Sequence, residues 1–220
     1  MTKTDSPTWP SSIDPDRWKR HHLVRNPFGE LTREERTRLA IVDGDQWDSL
    51  IGRPHSAVQF IGDCGRGKTT RMLAIADRHA DSAYVYLPED GTIPAIPNGN
   101  PVMIDEAQRL PRKVRQHIFS SGVSLVIATH KDLTGPLRRH GYQVHTERIG
   151  EHNSAAHIRR VLNSRIEASM SDDGLAKLVS ADDAAVLHRR FGSDLRGIED
   201  FLYQQIQTQV MNHVEVRFVD

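Results

Sequence analysis

The sequence is poor in features that cross-link a chain or hold it in a membrane. It has a single cysteine, Cys64, in 220 residues, which precludes a disulfide bond within the chain. Its longest apolar runs, such as residues 125–128, are far too short to span a bilayer. Residues 1–20 also lack the apolar core of a secretory signal. We therefore expect a cytoplasmic protein without membrane insertion, since a reducing compartment suits a lone thiol.

The sequence also lacks an excess of charge of either sign. It has 29 basic and 29 acidic residues, so bulk charge predicts no general affinity for nucleic acid or anionic membranes. Its 12 histidines and Cys64 have no metal-ligand spacing, which argues against a zinc site. Apolar residues make up 37% of the chain and charged residues 26%, a balance typical of globular proteins that bury a core.

Short apolar runs alternate with helical segments in the middle of the chain. The runs are rich in strand-forming residues, and the segments between them place apolar residues on one side. This alternation predicts an α/β fold with a mostly parallel sheet covered by helices on both faces. The expected strands lie in 57–61, 83–88, 101–107, 123–130 and 142–150, and the expected helices in 69–80, 110–119 and 132–141.

The two ends of the chain depart from this pattern. Prolines spaced among serine, threonine and aspartate predict a flexible arm over residues 1–25, before a core over 26–150. Residues 151–220 have apolar positions at helical spacing and capping signals near Ser180 and at Ser193 or Asp194. We therefore expect a small helical subdomain there, and its last eight residues alternate apolar and polar side chains like a strand.

A glycine-rich segment follows the first expected strand and opens the first expected helix. Residues 62–69 fit the pattern G-x-x-x-x-G-K-[ST] of the phosphate-binding P-loop, in which backbone N–H groups and a helix N-terminus surround a phosphate. In this pattern Lys68 reaches the β- and γ-phosphates, and the Thr69 hydroxyl binds Mg²⁺. The alternative is a glycine-rich turn with an incidental lysine. The candidate nucleotide-binding residues are Gly62, Asp63, Cys64, Gly65, Arg66, Gly67, Lys68, Thr69 and Thr70.

Two acidic residues end a later apolar strand. Asp105 and Glu106 follow Val102-Met103-Ile104, and Asp105 lies 37 residues after Lys68. Beside a P-loop, a carboxylate at a strand end can hold Mg²⁺, and the next one can polarise a water molecule for attack on the γ-phosphate. We therefore predict a metal-supporting role for Asp105 and a catalytic role for Glu106. Two solvated acids at a strand end are the alternative.

Another strand ends in Thr129 and His130. Either side chain can bond the attacking water or the γ-phosphate, and Thr129 can equally act as a local cap. The segment Thr-His-Lys-Asp does not fit the guanine-reading pattern N-K-x-D, because its lysine stands third rather than second. The acidic pair is also not followed by the glycine of D-x-x-G. We therefore predict ATP rather than GTP as the nucleotide.

These segments together resemble the AAA+ ATPases. The likeness rests on Gly-Asp-Cys-Gly-Arg-Gly-Lys-Thr-Thr, Val-Met-Ile-Asp-Glu-Ala-Gln-Arg-Leu, Val-Ile-Ala-Thr-His and the helical tail, and it covers about residues 26–211. Within this family, the chain is similar to the branch of transposition-accessory and secretion-associated ATP-binding proteins. This similarity rests on the sequence Ile-Asp-Glu-Ala-Gln-Arg-Leu and on the segment Asn26-Pro27-Phe28. The resemblance implies a three-layer core, a helical lid and a nucleotide bound between them.

The resemblance also implies roles for single residues. It places Thr129 at the sensor-1 position and Arg196 in a sensor-2 motif that opens a lid helix. An arginine in a first helical turn opposes the helix dipole, and a phosphate facing Arg196 would remove that conflict; a surface arginine is the alternative. Arg138 or Arg139 matches an arginine finger that reaches the nucleotide of a neighbouring subunit, which implies a homo-oligomer formed on ATP binding. A solvated helix end is the alternative there.

The chain departs from the AAA+ pattern between two strands. Only 12 residues, 89–100, separate the strand at 83–88 from the strand beginning at 101, and they include two prolines. Parallel strands usually need about a dozen connecting residues and a helix. We therefore expect an irregular connection, without the pore or substrate loops that the family places in this helix.

The sequence thus predicts an ATPase that uses ATP and Mg²⁺ to act as a conformational switch on a partner protein or DNA. Two other functions stay open. The chain can be a nucleotide-gated binding module with negligible hydrolysis, or a phosphotransferase for small molecules in which Arg138 and Arg139 clamp the transferred group. The basic segment 109–115 can contact DNA phosphates or a partner subunit, or it can be a solvated helix face.

Overall fold

The structure, a computed structural model, describes residues 15–42, 45–150, 153–172 and 174–219. Within these residues, five strands form one fully parallel sheet in the order β2-β3-β4-β1-β5. The central strands β1 and β4 are buried at every position, as expected for apolar strands covered on both faces. The prediction of an α/β fold is therefore confirmed. The strands are β1 (Ser56–Ile61), β2 (Ala83–Tyr86), β3 (Val102–Asp105), β4 (Leu125–Thr129) and β5 (Gln143–Arg148).

The register of the sheet determines which loops lie together. Ile61 at the end of β1 lies opposite Thr129 at the end of β4, and Ile104 in β3 lies opposite Ile127 in β4. Because all strands are parallel, their carboxyl ends share one edge of the sheet. The segments that follow Ile61, Asp105 and Thr129 therefore meet at that edge.

Helices cover both faces of the sheet and complete three layers. On one face, Met72 and Ile75 of the first helix join a buried cluster with the sheet. On the other face, Ile118, Phe119 and Leu137 of two further helices form a second cluster. The first connection runs across the sheet in the opposite direction to the later ones, which places its helix on the opposite face. These helices are α4 (Lys68–Arg78), α5 (Arg112–Ser120) and α6 (Thr134–Arg139).

The connection between β2 and β3 contains no helix, as its length predicted. The two strands are adjacent and parallel, and residues 89–100 return along the start of β2. Asn100 donates its backbone N–H to the Asp81 carbonyl at 2.8 Å and its side-chain amide to the Gly52 carbonyl at 3.0 Å. A Cβ at Gly99 would lie 2.4 Å from the Cβ of Ala83, so glycine permits this close packing.

The C-terminal third of the chain is helical. Apolar residues at helical spacing, including Ile158, Leu162 and Leu202, are fully buried in a core of their own. Ser180 and Asp183 form a capping box, and Asp194 accepts the Gly197 N–H, so Asp194 caps the last helix. The helices are α7 (Ala155–Glu167), α8 (Ala181–Phe191) and α9 (Leu195–Met211).

Residues 15–25 differ from the prediction of a flexible arm, because they pack on this helical core. Helix α1 (Pro15–Lys19) buries Trp18, and Leu23 behind it is also buried. Val24 donates its backbone N–H to the Ser169 carbonyl at 2.9 Å. The aromatic side chain of Trp18 and the aliphatic side chain of Leu23 therefore hold this part of the chain on the helical core. The rest of the predicted arm, residues 1–14, lies outside the described residues.

The C-terminal segment is not a strand, although its residues alternate. Residues 212–219 have no sheet partner among the described residues, but Val216 and Phe218 are buried in the helical core. Gln209 holds the segment by accepting the Arg217 N–H at 3.0 Å and donating to the Arg217 carbonyl at 3.1 Å. The alternation therefore reflects packing on α9 rather than pairing in a sheet.

Two short helices lie before the sheet. In α2 (Arg33–Arg38), Thr32 and Glu35 form a capping box, which a threonine three residues before a glutamate predicts. In α3 (Asp45–Asp48), Trp47 is buried and packs edge-on against Phe60 at 5.0 Å between ring centroids. Of the helices in the described part of the chain, none has the length and apolar character needed to cross a bilayer.

Candidate functional site

The glycine-rich loop lies between the end of β1 and the start of α4. Gly65 and Gly67 have positive φ angles of 76° and 92°, a region in which other residues are strained. Gly62 has another role, because a Cβ there would lie 2.5 Å from the Ile149 carbonyl oxygen. Helix α4 begins at Lys68 directly after the loop, with no acidic residue in its first turn. The loop therefore presents backbone N–H groups and a helix N-terminus to the same space, the arrangement that binds phosphate.

Lys68 lies inside this loop. Its Nζ donates to the carbonyl oxygens of Gly62 at 2.6 Å and Asp63 at 2.9 Å, and the residue is only 5% exposed. Burial lowers the pKa of Lys68 from its usual range, while nearby acidic groups, chiefly Glu106, act in the opposite direction. Two carbonyl oxygens leave a third ammonium hydrogen for another acceptor, such as a phosphate oxygen.

Asp105 links the loop to the sheet. The carboxylate is 1% exposed, and its Oδ2 accepts the Thr69 hydroxyl at 2.7 Å and the Tyr84 hydroxyl at 2.9 Å. Its Oδ1 accepts the Glu106 N–H at 3.0 Å. Burial, followed by the charge of Asp105, raises the pKa of Tyr84, so this tyrosine stays a hydrogen-bond donor. The loop hydroxyl and the strand-end carboxylate thus meet as the sequence predicted.

Glu106 is held by three neighbouring side chains. Its Oε2 accepts Gln108 Nε2 at 2.6 Å and lies 3.3 Å from His130 Nε2 and 3.4 Å from a guanidinium nitrogen of Arg109. Gln108 in turn accepts the His130 N–H at 3.2 Å. The backbone of Glu106 has a φ of 62°, a left-handed conformation that is uncommon for a non-glycine residue and occurs at functional sites.

Thr129 does not face the phosphate loop with a free hydroxyl, which differs from the sensor role that the resemblance implied. It is fully buried, and its Oγ1 donates to the Lys131 carbonyl at 2.9 Å and accepts the Lys131 N–H at 3.0 Å. Both hydrogen-bonding functions serve the turn after β4, which is the capping alternative. The neighbouring His130 lies 3.3 Å from Glu106 and 3.8 Å from the Cys64 thiol, so it occupies the position beside the loop.

The helical subdomain touches the phosphate loop through the start of α9. A Cβ at Gly65 would lie 2.8 Å from both the Arg196 Cβ and the Asp194 Oδ1. Arg66 donates to the Ser193 hydroxyl at 2.5 Å. Arg196 is exposed and lines the cleft beside the loop. Arg196 thus lies beside the phosphate loop, and the start of α9 packs so closely on the loop that a side chain at position 65 would collide with it.

Arg138 and Arg139 lie away from this cleft. They end α6 just before β5 begins, which places them near the amino edge of the sheet, opposite the edge that carries the loop. Both side chains are exposed. The structure therefore does not bring either arginine to the phosphate loop of its own chain.

A cleft of about 800 Å³ lies beside the phosphate loop and is also lined by Glu106, Arg109 and Arg196. Its walls come from the segment around Phe28 and Gly29, the loop residues 64–71, and the cleft-facing side of α7 and α9. Arg165 holds the first wall to the helices, since it donates to the Pro27 carbonyl at 2.9 Å and pairs with Glu199 at 2.6 Å. This volume lies in the range of clefts that hold a cofactor-sized ligand.

The chain offers few direct metal ligands here. No group of three or more acidic, histidine or cysteine side chains is suited to hold a metal ion in the part of the chain that the structure describes. The Thr69 hydroxyl and Asp105 carboxylate are oxygen donors that fit Mg²⁺, an ion that takes its other ligands from water and phosphate.

Three residues of the site were not predicted from the sequence. Tyr84 bonds Asp105 from β2, Gln108 bonds Glu106 from a 3₁₀ turn, and Arg165 supports the cleft wall from α7. Only Gln108 had a local signal, because it lies two residues after Glu106. The other two depend on strand pairing and on packing between distant segments.

Comparison with models of known protein families finds no match for this chain. No curated protein matches its sequence either. Among solved structures, the chain is similar to that of Cdc6p from Pyrobaculum aerophilum, with a TM-score of 0.54 and 15% identity over 92% of this chain and 67% of that one. It is also similar to the structure of the ORC2 protein of Aeropyrum pernix in its ADPNP–ADP complexes. Here the TM-score is 0.49 and the identity 14%, over 88% of this chain and 69% of that one.

These likenesses concern the fold. Together with the strand order and the flanking helices, the first of them shows that the chain has the α/β fold of a P-loop NTPase core, as in Cdc6p. This agrees at the level of fold with the resemblance to AAA+ ATPases. The finer resemblance to transposition-accessory and secretion-associated ATP-binding proteins stays a prediction.

Proposed function

We propose that the chain is an AAA+-type ATPase that binds ATP with Mg²⁺, hydrolyses it, and acts as a nucleotide-dependent switch on a partner protein or DNA. The observation that carries this proposal is the hydrogen bond between Thr69 in the loop and Asp105 at the end of β3, with Glu106 next to it. A phosphate loop alone indicates nucleotide binding. A metal-supporting carboxylate and a second acid beside the loop add the groups that hydrolysis requires.

Each residue at the site has a role in this proposal. Lys68 and the loop N–H groups would hold the β- and γ-phosphates. Thr69 and Asp105 would hold Mg²⁺, and the ion would supply positive charge to neutralise the transferred phosphoryl group. Glu106 orients a water molecule and accepts its proton as the water oxygen bonds to the γ-phosphorus and the bond to the β-phosphate oxygen breaks. Of the two strand-end residues that the sequence offers for contact with the attacking water or the γ-phosphate, His130 is the one beside Glu106.

Arg196 and Arg66 support the switch in this proposal. Arg196 lines the cleft from the first turn of α9, where its charge opposes the helix dipole unless an anion lies in front of it. Arg66 joins the loop to Ser193 at the start of the same helix. A nucleotide that contacts Arg196 would change the contacts that hold the helical subdomain on the loop.

The proposal is tested by phosphate release from ATP. We expect release in the presence of Mg²⁺ and its loss when the ion is chelated, because Thr69 and Asp105 alone cannot replace the metal charge. In the same assay, Arg196→Ala is expected to lower turnover about tenfold or more, as for loss of one donor to developing charge. Release that is unchanged by chelation would contradict the proposal, as would its absence at every protein concentration and with every partner tested.

A second function is favoured by the position of Glu106. Three side chains hold this carboxylate, and in that arrangement it is not free to orient water. A module that binds ATP, assembles and hydrolyses it negligibly fits this geometry. Turnover measured with and without a DNA partner distinguishes the two functions, since the switch hydrolyses ATP once Glu106 is released and the module does not. The third function, an intramolecular phosphotransferase clamp, gains no support, because Arg138 and Arg139 lie away from the loop.

We also propose that Arg138 or Arg139 completes the site of a neighbouring subunit in an ATP-bound homo-oligomer. The exposed position of both arginines at the end of α6 leaves them accessible to another copy. An arginine finger is worth orders of magnitude in the rate of phosphoryl transfer.

Mixing variants tests this role. A chain with Arg138→Gln and Arg139→Gln and a chain with Glu106→Gln are each expected to lack turnover when alone. When mixed, they are expected to recover part of it, because about one interface in four pairs an intact site with an intact finger if subunits combine at random. A matched double change in α7, Arg159→Gln and Arg160→Gln, should leave turnover unchanged. Full activity of the α6 variant alone would exclude the finger.

A further inference from the structure

The two helices on one face of the sheet carry an uneven charge. From residue 107 to residue 146 the chain has seven lysines and arginines but only one acidic residue, Asp132, although the whole chain has no net charge. This stretch contains α5 and α6, which lie side by side. Ser120 Oγ and His140 Nδ1 are 3.2 Å apart, and the rings of Phe119 and His140 are in contact. The basic residues of both helices therefore lie on one layer of the protein.

Among the described residues, only one of these seven cationic side chains forms hydrogen bonds or ion pairs. Arg109 is engaged by Glu89 and the Leu87 carbonyl, and Asp132 accepts hydrogen bonds from Gln59 and Thr134. The six other cations form no ion pair with any residue in the ranges that the structure describes, and none lines the nucleotide cleft. We call these six the cationic face: Arg112, Lys113, Arg115, Lys131, Arg138 and Arg139.

Folding does not account for the placement of two members of the cationic face. Arg112 and Lys113 are exposed in the first turn of α5, which contains no acidic residue. Cations at a helix N-terminus oppose the helix dipole, typically by about 0.3–1 kcal/mol each. An external anion in front of this turn would reverse that effect.

The same face has no apolar centre of the kind that protein partners bury. The large apolar residues that are exposed in the described parts of the chain lie on other elements: Val24, Tyr86, Leu175, Leu178, Met211 and Val214. Protein interfaces usually place aromatic and other apolar side chains at their centre and charges at the rim. A surface of unpaired cations without such a centre is instead suited to the evenly charged backbone of a nucleic acid.

We propose that the cationic face binds the phosphate backbone of duplex DNA without reading its sequence. The guanidinium and ammonium groups of the face contact phosphates of the duplex, and the displaced counterions supply much of the free energy of binding. This contact is separate from the nucleotide cleft, and it does not require ATP hydrolysis. Because the arginines of α6 also have the proposed finger role, the α5 cations provide the independent test.

The test measures anisotropy of a fluorescent duplex of about 30 base pairs at about 50 mM salt and upwards, a range in which phosphate contacts dominate affinity. The wild-type chain is expected to bind with an affinity that falls steeply as salt rises. The variant Arg112→Gln, Lys113→Gln, Arg115→Gln is expected to lose at least about tenfold in affinity, and its plot of log affinity against log salt should be shallower by about 3.

Two controls separate the surface from bulk charge and from an acidic protein partner. The variant Arg159→Gln, Arg160→Gln, Arg189→Gln removes the same charge from exposed positions on α7 and α8, and we expect it to bind like the wild type. Lys131→Gln, a single change outside any helix, should lower the salt slope by about 1. The proposal is overturned if the wild type does not bind, if both triple variants lose affinity equally, or if poly-glutamate of equal charge displaces the duplex as well as unlabelled DNA does.

Discussion

Glu106→Gln is expected to lower the rate of ATP hydrolysis by about a hundredfold or more while ATP still binds. Glutamine has nearly the same shape, so it keeps the contact with Gln108 and the position beside Asp105. It cannot accept a proton from the attacking water, and it also removes the negative charge beside Arg109 and Lys68. The measurement is kcat from phosphate release together with the dissociation constant for ATP.

The control for this change is Glu215→Gln, which removes a carboxylate that is 71% exposed and paired with Lys177 far from the cleft. Turnover of this control should equal that of the wild type. If Glu106→Gln hydrolyses ATP at the wild-type rate, Glu106 is not the base. If the substitution weakens ATP binding and leaves kcat unchanged, Glu106 serves uniform binding rather than the transition state, which contradicts its role as the base.

The fold was predictable because its signals are local and repeated. Apolar strand-forming runs and helical segments alternate between residues 57 and 150, and a parallel sheet with helices on both faces is the arrangement that buries all of them. The missing helix between β2 and β3 was also predictable, because 12 residues with two prolines cannot supply it. The positions of both capping boxes followed from residues three apart.

The structure brings together those site residues that the sequence places in the glycine-rich segment or at the end of a strand. Lys68, Thr69 and Asp105 occupy the positions that the motif requires, since a parallel sheet places its strand ends at one edge. Tyr84 could not be identified in this way, because its bond to Asp105 depends on the pairing of β2 with β3. Arg165 likewise acts on a segment more than 130 residues away in the chain.

The predictions that differ from the structure share a physical cause. The resemblance implies a sensor role for Thr129, but the sequence equally allows a threonine at a strand end to bond its own following turn, and its hydroxyl does so here. Residues 15–25 and 212–219 were interpreted from composition and alternation. In both segments a few buried side chains, such as Trp18 and Phe218, decide the conformation through packing on distant helices.

The overall composition, with its net charge of zero, does not predict the cationic face. A formal net charge of zero argues against general affinity for nucleic acid only if the charges are evenly distributed. The sheet topology instead places α5 and α6 side by side on one face, so basic residues from two separate segments add to one surface. The sequence identifies the basic segment 109–115, but its first residue, Arg109, pairs with Glu89 and Glu106 and is not part of that surface.

Lys68→Met is expected to lower ATP affinity by about a hundredfold. The lysine has one ammonium hydrogen left for a phosphate oxygen, and one such charge-assisted hydrogen bond is typically worth about 1.5–3 kcal/mol. A hundredfold loss of affinity corresponds to about 2.7 kcal/mol, within this range. Methionine keeps the apolar stem of a buried side chain, so the loop is not left with a cavity. The measurement is the rise of the melting temperature on addition of ATP and Mg²⁺.

ATP at about 100 times its dissociation constant stabilises a protein by about 2.7 kcal/mol, which for a chain of this size raises the melting temperature by about 5–10 °C. The wild type and the control Lys177→Met, which changes an exposed lysine outside the cleft, should show this rise, and Lys68→Met should show almost none. Without ATP, the variant should melt within a few degrees of the wild type. Lys68→Met loses the hydrogen bonds to Gly62 and Asp63, which lowers the stability of the fold. It also removes a buried positive charge, which raises the stability, so the two effects offset each other. An unchanged ATP-dependent rise in Lys68→Met would mean that the loop does not bind the phosphates, and the proposed function would fall with it.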